Sequence, residues 1–229
     1  MAGRIGILTG LAMEADLVLR VSKKMNWGAA TPDVRCVGMG GAGAGAAVQD
    51  LAGRGVERLV SFGLAGGLDP ALAAGTLLVP HAILDGADTS FAVDEAWRST
   101  FLDRLGADWR VAGGPLLAGA GLLTTQAAKH AAWRESGAHA ADMESTEIAK
   151  VAEASGLPVL VLRAVADDAG TTLPPAASAM DRSGRLSTAR LIGSLARHPW
   201  QLTALLKLGA KTRSALGALE DALPKLVEI

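Results

Sequence analysis

Apolar residues fall into two patterns along this chain: short runs with little or no charge, and longer stretches that are apolar on one side only. The short runs are Ile5–Thr9, Val34–Val37, Leu59–Phe62, Thr76–Val79, Leu116–Ala120 and Val159–Leu162. Too brief for helices and rich in β-branched residues, they predict strands covered on both faces. Met13–Val21, Ala46–Ala52, Trp97–Leu105, Gln126–Arg134 and Thr146–Ser155 predict helices. In the last of these, Ile148, Ala149, Val151 and Ala152 share one side, while Glu147, Lys150 and Glu153 occupy the other. Gly156-Leu157-Pro158 punctuates the passage into Val159–Leu162. Ala65–Pro70 reads as a loop, and Asp85–Asp94 as a polar, irregular segment. Strand alternating with helix predicts an α/β three-layer αβα sandwich.

Composition bounds this picture. The 229 residues can enclose one sizeable core, and neither a repeat nor a linker marks a second one. The expected organisation is one domain with its main body over 1–175 and residues 176–229 as a C-terminal basic amphipathic helical extension of it. Half the residues are hydrophobic but only 3% are aromatic, so Ala, Leu and Val must build the core, with 28 Gly permitting close backbone approach. A net charge of −1 speaks against a general nucleic-acid binder. The single cysteine, Cys36, excludes an internal disulfide framework and a cysteine-cluster metal site; its apolar neighbours predict a packed thiol. Arg4, Glu14 and Asp16 interrupt the opening residues, so no signal peptide is expected. No uncharged apolar run reaches the ~20 residues that span a bilayer. The expectation is a cytoplasmic protein, or one lying peripherally on the cytoplasmic membrane face.

The strand Val159–Leu162 runs on into Arg163-Ala164-Val165-Ala166-Asp167-Asp168. Ligands of open α/β sheets bind beyond the carboxyl ends of strands, which is where Asp167 and Asp168 stand. Glu144, just ahead of its helix, can reach the same mouth. On position alone these carboxylates equally suit helix caps or solvated loops. Gly38-Met39-Gly40-Gly41-Ala42-Gly43 satisfies a dinucleotide-binding pattern, yet the following strand ends in Ser61-Phe62-Gly63, with no acid to hold a ribose. Such a turn can instead face its N–H groups to the anion or ribose side of a pocket.

Four ordered segments carry a resemblance. They are Gly10-Leu11-Ala12-Met13-Glu14-Ala15-Asp16, Gly63-Leu64-Ala65-Gly66-Gly67-Leu68-Asp69 with Leu72-Ala73-Ala74-Gly75-Thr76 behind it, Asp142-Met143-Glu144-Ser145, and Arg163-Ala164-Val165-Ala166-Asp167. Together they resemble the signature of the purine nucleoside phosphorylase and methylthioadenosine/S-adenosylhomocysteine nucleosidase superfamily. The Met-Glu-Ser form, the Asp167–Pro175 region and the long basic tail look most like the hopanoid-associated phosphorylases, which act on a nucleoside attached to a hopanoid lipid.

The resemblance implies a central mixed sheet of the phosphorylase/hydrolase type and cleavage of a purine N-glycosidic bond. Asp167 would give a proton to the base at its N7 edge, and Glu144 would accept hydrogen bonds from the ribose hydroxyls. Met143 would pack on the sugar, while Ala65 and Gly66 would bring backbone close to base and sugar. Arg163, four residues before Asp167 and so counted on the same face, pairs with a carboxylate of the site or satisfies a buried one. Asp168 reads as a loop or capping residue. For the attacking group, nucleosidases use water activated by a Glu three residues after the opening Met. That position is Asp16 here, and Glu14 is expected to point elsewhere. Phosphorylases bind phosphate through arginines, but the Arg-bearing glycine-rich loop has no counterpart in this chain. Thr9, Gly10, Thr89, Ser90, Thr124 and Thr125 offer hydroxyl or backbone donors. Water and phosphate both stay open, and no metal or cofactor is implied beyond inorganic phosphate as a co-substrate. The aromatic that stacks on adenine also lacks a match in Thr124-Thr125-Gln126-Ala127-Ala128.

From Arg182 to Arg213 every charge is positive, with Leu191, Ile192, Leu195, Trp200, Leu202, Leu205, Leu206 and Leu208 interleaved. A basic amphipathic helical pair suits an anionic lipid surface, and equally a helix docked on the core with a solvated basic face. The expected function is release of adenine from adenosylhopane, by phosphorolysis or hydrolysis, in hopanoid biosynthesis. A soluble methylthioadenosine/S-adenosylhomocysteine nucleosidase is one rival; a non-catalytic purine- or lipid-binding protein is another. The resemblance also implies a homo-oligomer, a dimer or larger.

Overall fold

The two longest buried strands of the molecule grow from two of the uncharged runs. In the computed structural model, which describes residues 3–86, 89–175 and 201–228, these are β3 (Arg58–Gly67) and β10 (Val159–Asp167). They pair in parallel from Leu59 opposite Val159 to Ala65 opposite Val165. All nine residues of β10 are buried, as suits a strand covered on both faces. The first strand, β1 (Ile5–Thr9), lies parallel to β3 and carries β2 (Asp33–Cys36) on its other edge. Beyond β10 come β4 (Leu77–Leu78), antiparallel to it, and β7 (Val111–Ala112). Beyond β3 come β9 (Ala140–Asp142), β8 (Leu116–Ala118), β5 (Ala82–Asp85) and β6 (Thr89–Ala92) in that order. The result is the α/β fold that the alternating pattern predicts, with the mixed sheet that the resemblance implies.

Two-residue alternation sends the strand side chains into two cores. Leu160, Leu162 and Ala164 meet α1 (Ala12–Met25), α3 (Glu95–Leu105) and the C-terminal helix α6 (Gln201–Val227) on one face. Val159 and Val161 meet α2 (Ala44–Gly53) and α5 (Ser145–Ala154) on the other. A further helix, α4 (Gln126–Ser136), packs near the cavity described below.

Three local expectations are corrected. Ala65–Pro70 does not begin as a loop, because β3 continues through Gly67; its small residues let neighbouring backbone pair closely rather than turn. Asp85–Asp94 is not irregular, since β5 and β6 form an antiparallel ladder with Ile83 opposite Phe91. Cys36 is exposed at the end of the outer strand β2, its Sγ donating to the Gly10 carbonyl oxygen at 3.6 Å, so it is not a packed thiol.

At the C-terminus, α6 docks on β10, α1 and α3 through Ala215, Leu219, Ala222, Leu223 and Leu226. Each leucine so buried contributes roughly 1.5–3 kcal/mol. The first half of the expected helical pair, including Arg182, Arg185, Arg190, Arg197 and Trp200, lies outside the described residues. Among the described residues, no helix is long and apolar enough to cross a membrane.

Candidate active site

β3 has a gap along one edge. β1 pairs with it over Arg58–Ser61 and β9 over Gly66–Gly67, leaving Phe62–Ala65 without a strand partner on that side. Glu14 fills the gap. It sits in the first turn of α1, where backbone N–H groups lack helical partners, and its Oε2 accepts from Gly10 N at 3.1 Å and Leu11 N at 2.9 Å. Its Oε1 accepts from Leu64 N at 2.7 Å, across the bare stretch of β3. Gly63 makes this approach possible: a Cβ there would stand 2.4 Å from Glu14 Oε1.

Behind Glu14 lies Arg163, fully buried on β10. Its Nη2 stands 2.6 Å from Asp142 Oδ2 and donates to Ser61 Oγ at 2.7 Å and Ser145 Oγ at 3.2 Å. Its Nη1 is 3.8 Å from Glu144 Oε2. Glu144 Oε1 also accepts from Gly40 N at 3.2 Å, so the glycine turn that mimics a dinucleotide motif donates to a carboxylate instead. Gly10 permits the approach of β1 to this carboxylate, since a Cβ there would meet Glu144 Cδ at 2.5 Å. One guanidinium thus serves three buried acids. Burial, then the charge of Asp142, pushes Glu144 up to about 7 against the pull of Arg163. Burial likewise raises Glu14, opposed by Arg163 and the three N–H bonds.

Asp167 ends β10 after a one-residue bulge between Val165 and Asp167. The bulge resets the alternation, so the expected shared face with Arg163 is not kept. Arg163 turns to Asp142, Ser61 and Ser145, while Asp167 turns to Lys129 of α4, whose Nζ contacts Oδ2 and donates to the Asp168 carbonyl oxygen at 2.9 Å. Burial raises the Asp167 carboxyl, and Lys129 opposes it. Asp168 faces away, bonded by Lys211 of α6 and by Thr171. Burial works to raise it, but those two partners hold it below its ordinary value.

These groups surround a cavity of about 510 Å³. Glu14, Asp142, Glu144, Lys129 and Asp167 give it charged groups, and Met143, Ala65 and Gly66 line it with them. Most of the remaining wall is apolar: Leu11, Met39, Leu64, Leu68, Leu122, Leu123 and Leu173, with Leu202, Leu205, Leu208 and the polar Thr212 from α6.

Of the residues singled out in the sequence, Asp167, Met143, Glu144, Ala65 and Gly66 line this one cavity, and Arg163 lies behind it. Asp16 does not reach it. Glu14 shares the buried stripe of Leu17, Val18 and Val21, at helical steps of three, four and seven, whereas Asp16 falls outside that stripe and is exposed. The expected orientations of Glu14 and Asp16 are therefore reversed. Ser90 and Thr89 are exposed on the outer strand β6, away from the cavity. Thr9 is buried and donates its hydroxyl to the Leu11 carbonyl oxygen at 3.3 Å; the Gly10 N–H is taken by Glu14. Thr125 caps α4 through Ala128 N, and the Thr124 carbonyl oxygen accepts from Leu173 N. Lys129 was not foreseen, because a lysine among polar helix positions reads as a solvated face.

The profile of the phosphorylase superfamily matches residues 5–192. The chain belongs to that superfamily. It is an enzyme of the nucleoside phosphorylase/nucleosidase type. No curated protein sequence matches it significantly. Futalosine hydrolase of Helicobacter pylori is similar in structure, with a TM-score of 0.69 at 16% identity, over 99% of this chain and 97% of that one. A substituted methylthioadenosine nucleosidase of the same organism, solved with 5′-methylthioadenosine in its active site, gives 0.67 at 15% identity, over 98% and 99%. The 5′-methylthioadenosine/S-adenosylhomocysteine nucleosidase of Neisseria meningitidis, in complex with methylthio-immucillin-A, gives 0.65 at 15% identity, over 99% of both chains. At these identities the likeness is one of fold.

Proposed function

We propose that this superfamily member releases adenine from a nucleoside carrying a large apolar 5′ substituent, with adenosylhopane as the substrate, in hopanoid biosynthesis. The observation that carries the reading is that Asp167 and Glu144 line one cavity together with the small residues Ala65 and Gly66 and a leucine-rich wall. Breaking the N-glycosidic bond builds positive charge on the ribose and negative charge on the base. Asp167, whose carboxyl burial raises above its ordinary value, gives its proton to the base, and Glu144 accepts from the ribose hydroxyls. The apolar wall receives the substituent, a role for which a methylthio group alone would be small.

For the attacking group, the structure favours water over phosphate. The backbone donors of the β1–α1 turn, which would otherwise cradle an anion, already bind the Glu14 carboxylate. A second anion there would be repelled, whereas a water could pass its proton to Glu14. The deciding experiment follows adenine release from adenosylhopane and from methylthioadenosine, each with and without phosphate. Faster release from adenosylhopane, unchanged by phosphate, is expected. Preference for methylthioadenosine transfers the assignment to the soluble nucleosidase, and no release from either supports a binding protein.

A further inference from the structure

Lys129 is the only buried residue of α4, at 1% exposure, in a helix whose other positions are exposed or half-buried. Desolvating an ammonium costs several kcal/mol, and an apolar side chain would anchor the helix without that penalty. Its Nζ makes three contacts, all at one place: the Asp167 carboxylate, the Asp167 carbonyl oxygen at 3.5 Å and the Asp168 carbonyl oxygen at 2.9 Å. It lines the cavity beside the group to which the proposed function assigns the proton.

We propose that Lys129 is the positioning residue of the proton donor: it holds Asp167 by Oδ2, leaves Oδ1 to the base, and stabilises the carboxylate that forms as the base departs. The proposal rests on the reading of Asp167 as that donor. As the glycosidic C–N bond breaks, its electron pair goes to the base. The Asp167 O–H bond breaks while an N–H bond forms on the purine. Lys129 keeps all its protons, and the new carboxylate is born beside a fixed positive charge. Asp167 recovers a proton from solvent before the next turnover. Among the described residues, the charged groups facing Asp167 are Lys129 from α4, Asp168 at its own strand end and Lys211 from α6, and the last two are bonded to each other. Of these two cations, Lys129 is therefore the one not matched by another acid. Without it, burial acts largely unopposed, and Asp167 becomes a weaker acid.

The test is Lys129→Met, with kcat followed against pH for an adenine nucleoside and for p-nitrophenyl riboside, whose leaving group needs no proton. For the adenine nucleoside, kcat should fall by about 10²-fold while KM stays within about threefold. The high-pH limb, where the donor loses its proton, should move upward, because the weaker acid holds its proton longer. Turnover of p-nitrophenyl riboside should change by no more than about threefold. Lys129→Arg, which keeps the charge and serves if the Met variant does not fold, should restore the limb toward its original pH. Equal losses on both substrates, or a limb that does not move, would overturn the proposal. Wild-type rates on the adenine nucleoside in Asp167→Asn would instead overturn the donor reading itself.

Discussion

The two charged regions of the cavity are buried alike and balanced differently. Around Arg163, three acids (Glu14, Asp142 and Glu144) share one guanidinium, and the surplus shows in Glu144, pushed up to about 7. Around Asp167, each acid has its own ammonium, Lys129 on Asp167 and Lys211 on Asp168. Glycosidic cleavage makes opposite demands at its two ends: positive charge grows on the sugar, and the base needs a proton. Surplus negative charge beside the sugar and a balanced, proton-bearing pair beside the base answer those demands in a dry site, where fixed charges act strongly. On this view, the imbalance around Arg163 is a working feature of the site.

The largest expected effect breaks the base side. Asp167→Asn keeps shape and removes the proton, so kcat should drop by ~10²–10⁴, or about 3–5 kcal/mol of barrier, with ligand affinity still measurable. A loss confined to affinity would show that Asp167 holds the base without donating to it.

The sugar side is broken most severely at its cation. Arg163→Leu strands three buried acids without their shared guanidinium and leaves Ser61 and Ser145 without its donors. Breaking a buried pair by removing one partner costs about 3–5 kcal/mol, so the urea midpoint at neutral pH should fall sharply and partly recover at low pH, where the acids are neutral. A pH-independent loss would mean that packing, rather than charge balance, sets the role of Arg163.

How far such a site is legible in a sequence depends on whether its residues obey a local period. The strand runs and the one-sided helices do, and β1, α5 and the core of β10 follow from them. The stripe of Glu14, Leu17, Val18 and Val21 also does, so the inward turn of Glu14 was present in the helical count, though spacing from Met13 pointed to Asp16. What breaks the period is hidden. The bulge that separates Asp167 from Arg163 inserts one residue without any Gly or Pro to mark it. The burial of Lys129 depends on which end of which strand α4 happens to cover, a tertiary fact with no local signal. Ser90 sits beside polar neighbours much like those of a binding loop, yet it belongs to an outer strand.

The mildest prediction sharpens the comparison without disturbing the fold. Burial pushes the Glu144 carboxyl up to about 7 in the folded chain, from an ordinary value of 4.5. Between those values the folded state holds a proton that the unfolded state has released, so stability declines as pH rises through the interval, and above it the full cost remains. That cost is on the order of 3 kcal/mol. Glu144→Gln has nearly the same shape and no charge to bury. The empty variant should therefore match the parent near pH 5 and exceed it at pH 8 by on the order of 1–3 kcal/mol, a Tm gain of several degrees for a chain of this size. It should also bind nucleoside more weakly, since an amide accepts less well than a carboxylate from two hydroxyls. Equal melting temperatures of variant and parent at pH 8 would mean that Arg163 already neutralises Glu144 in full, and the contrast between the two regions would vanish.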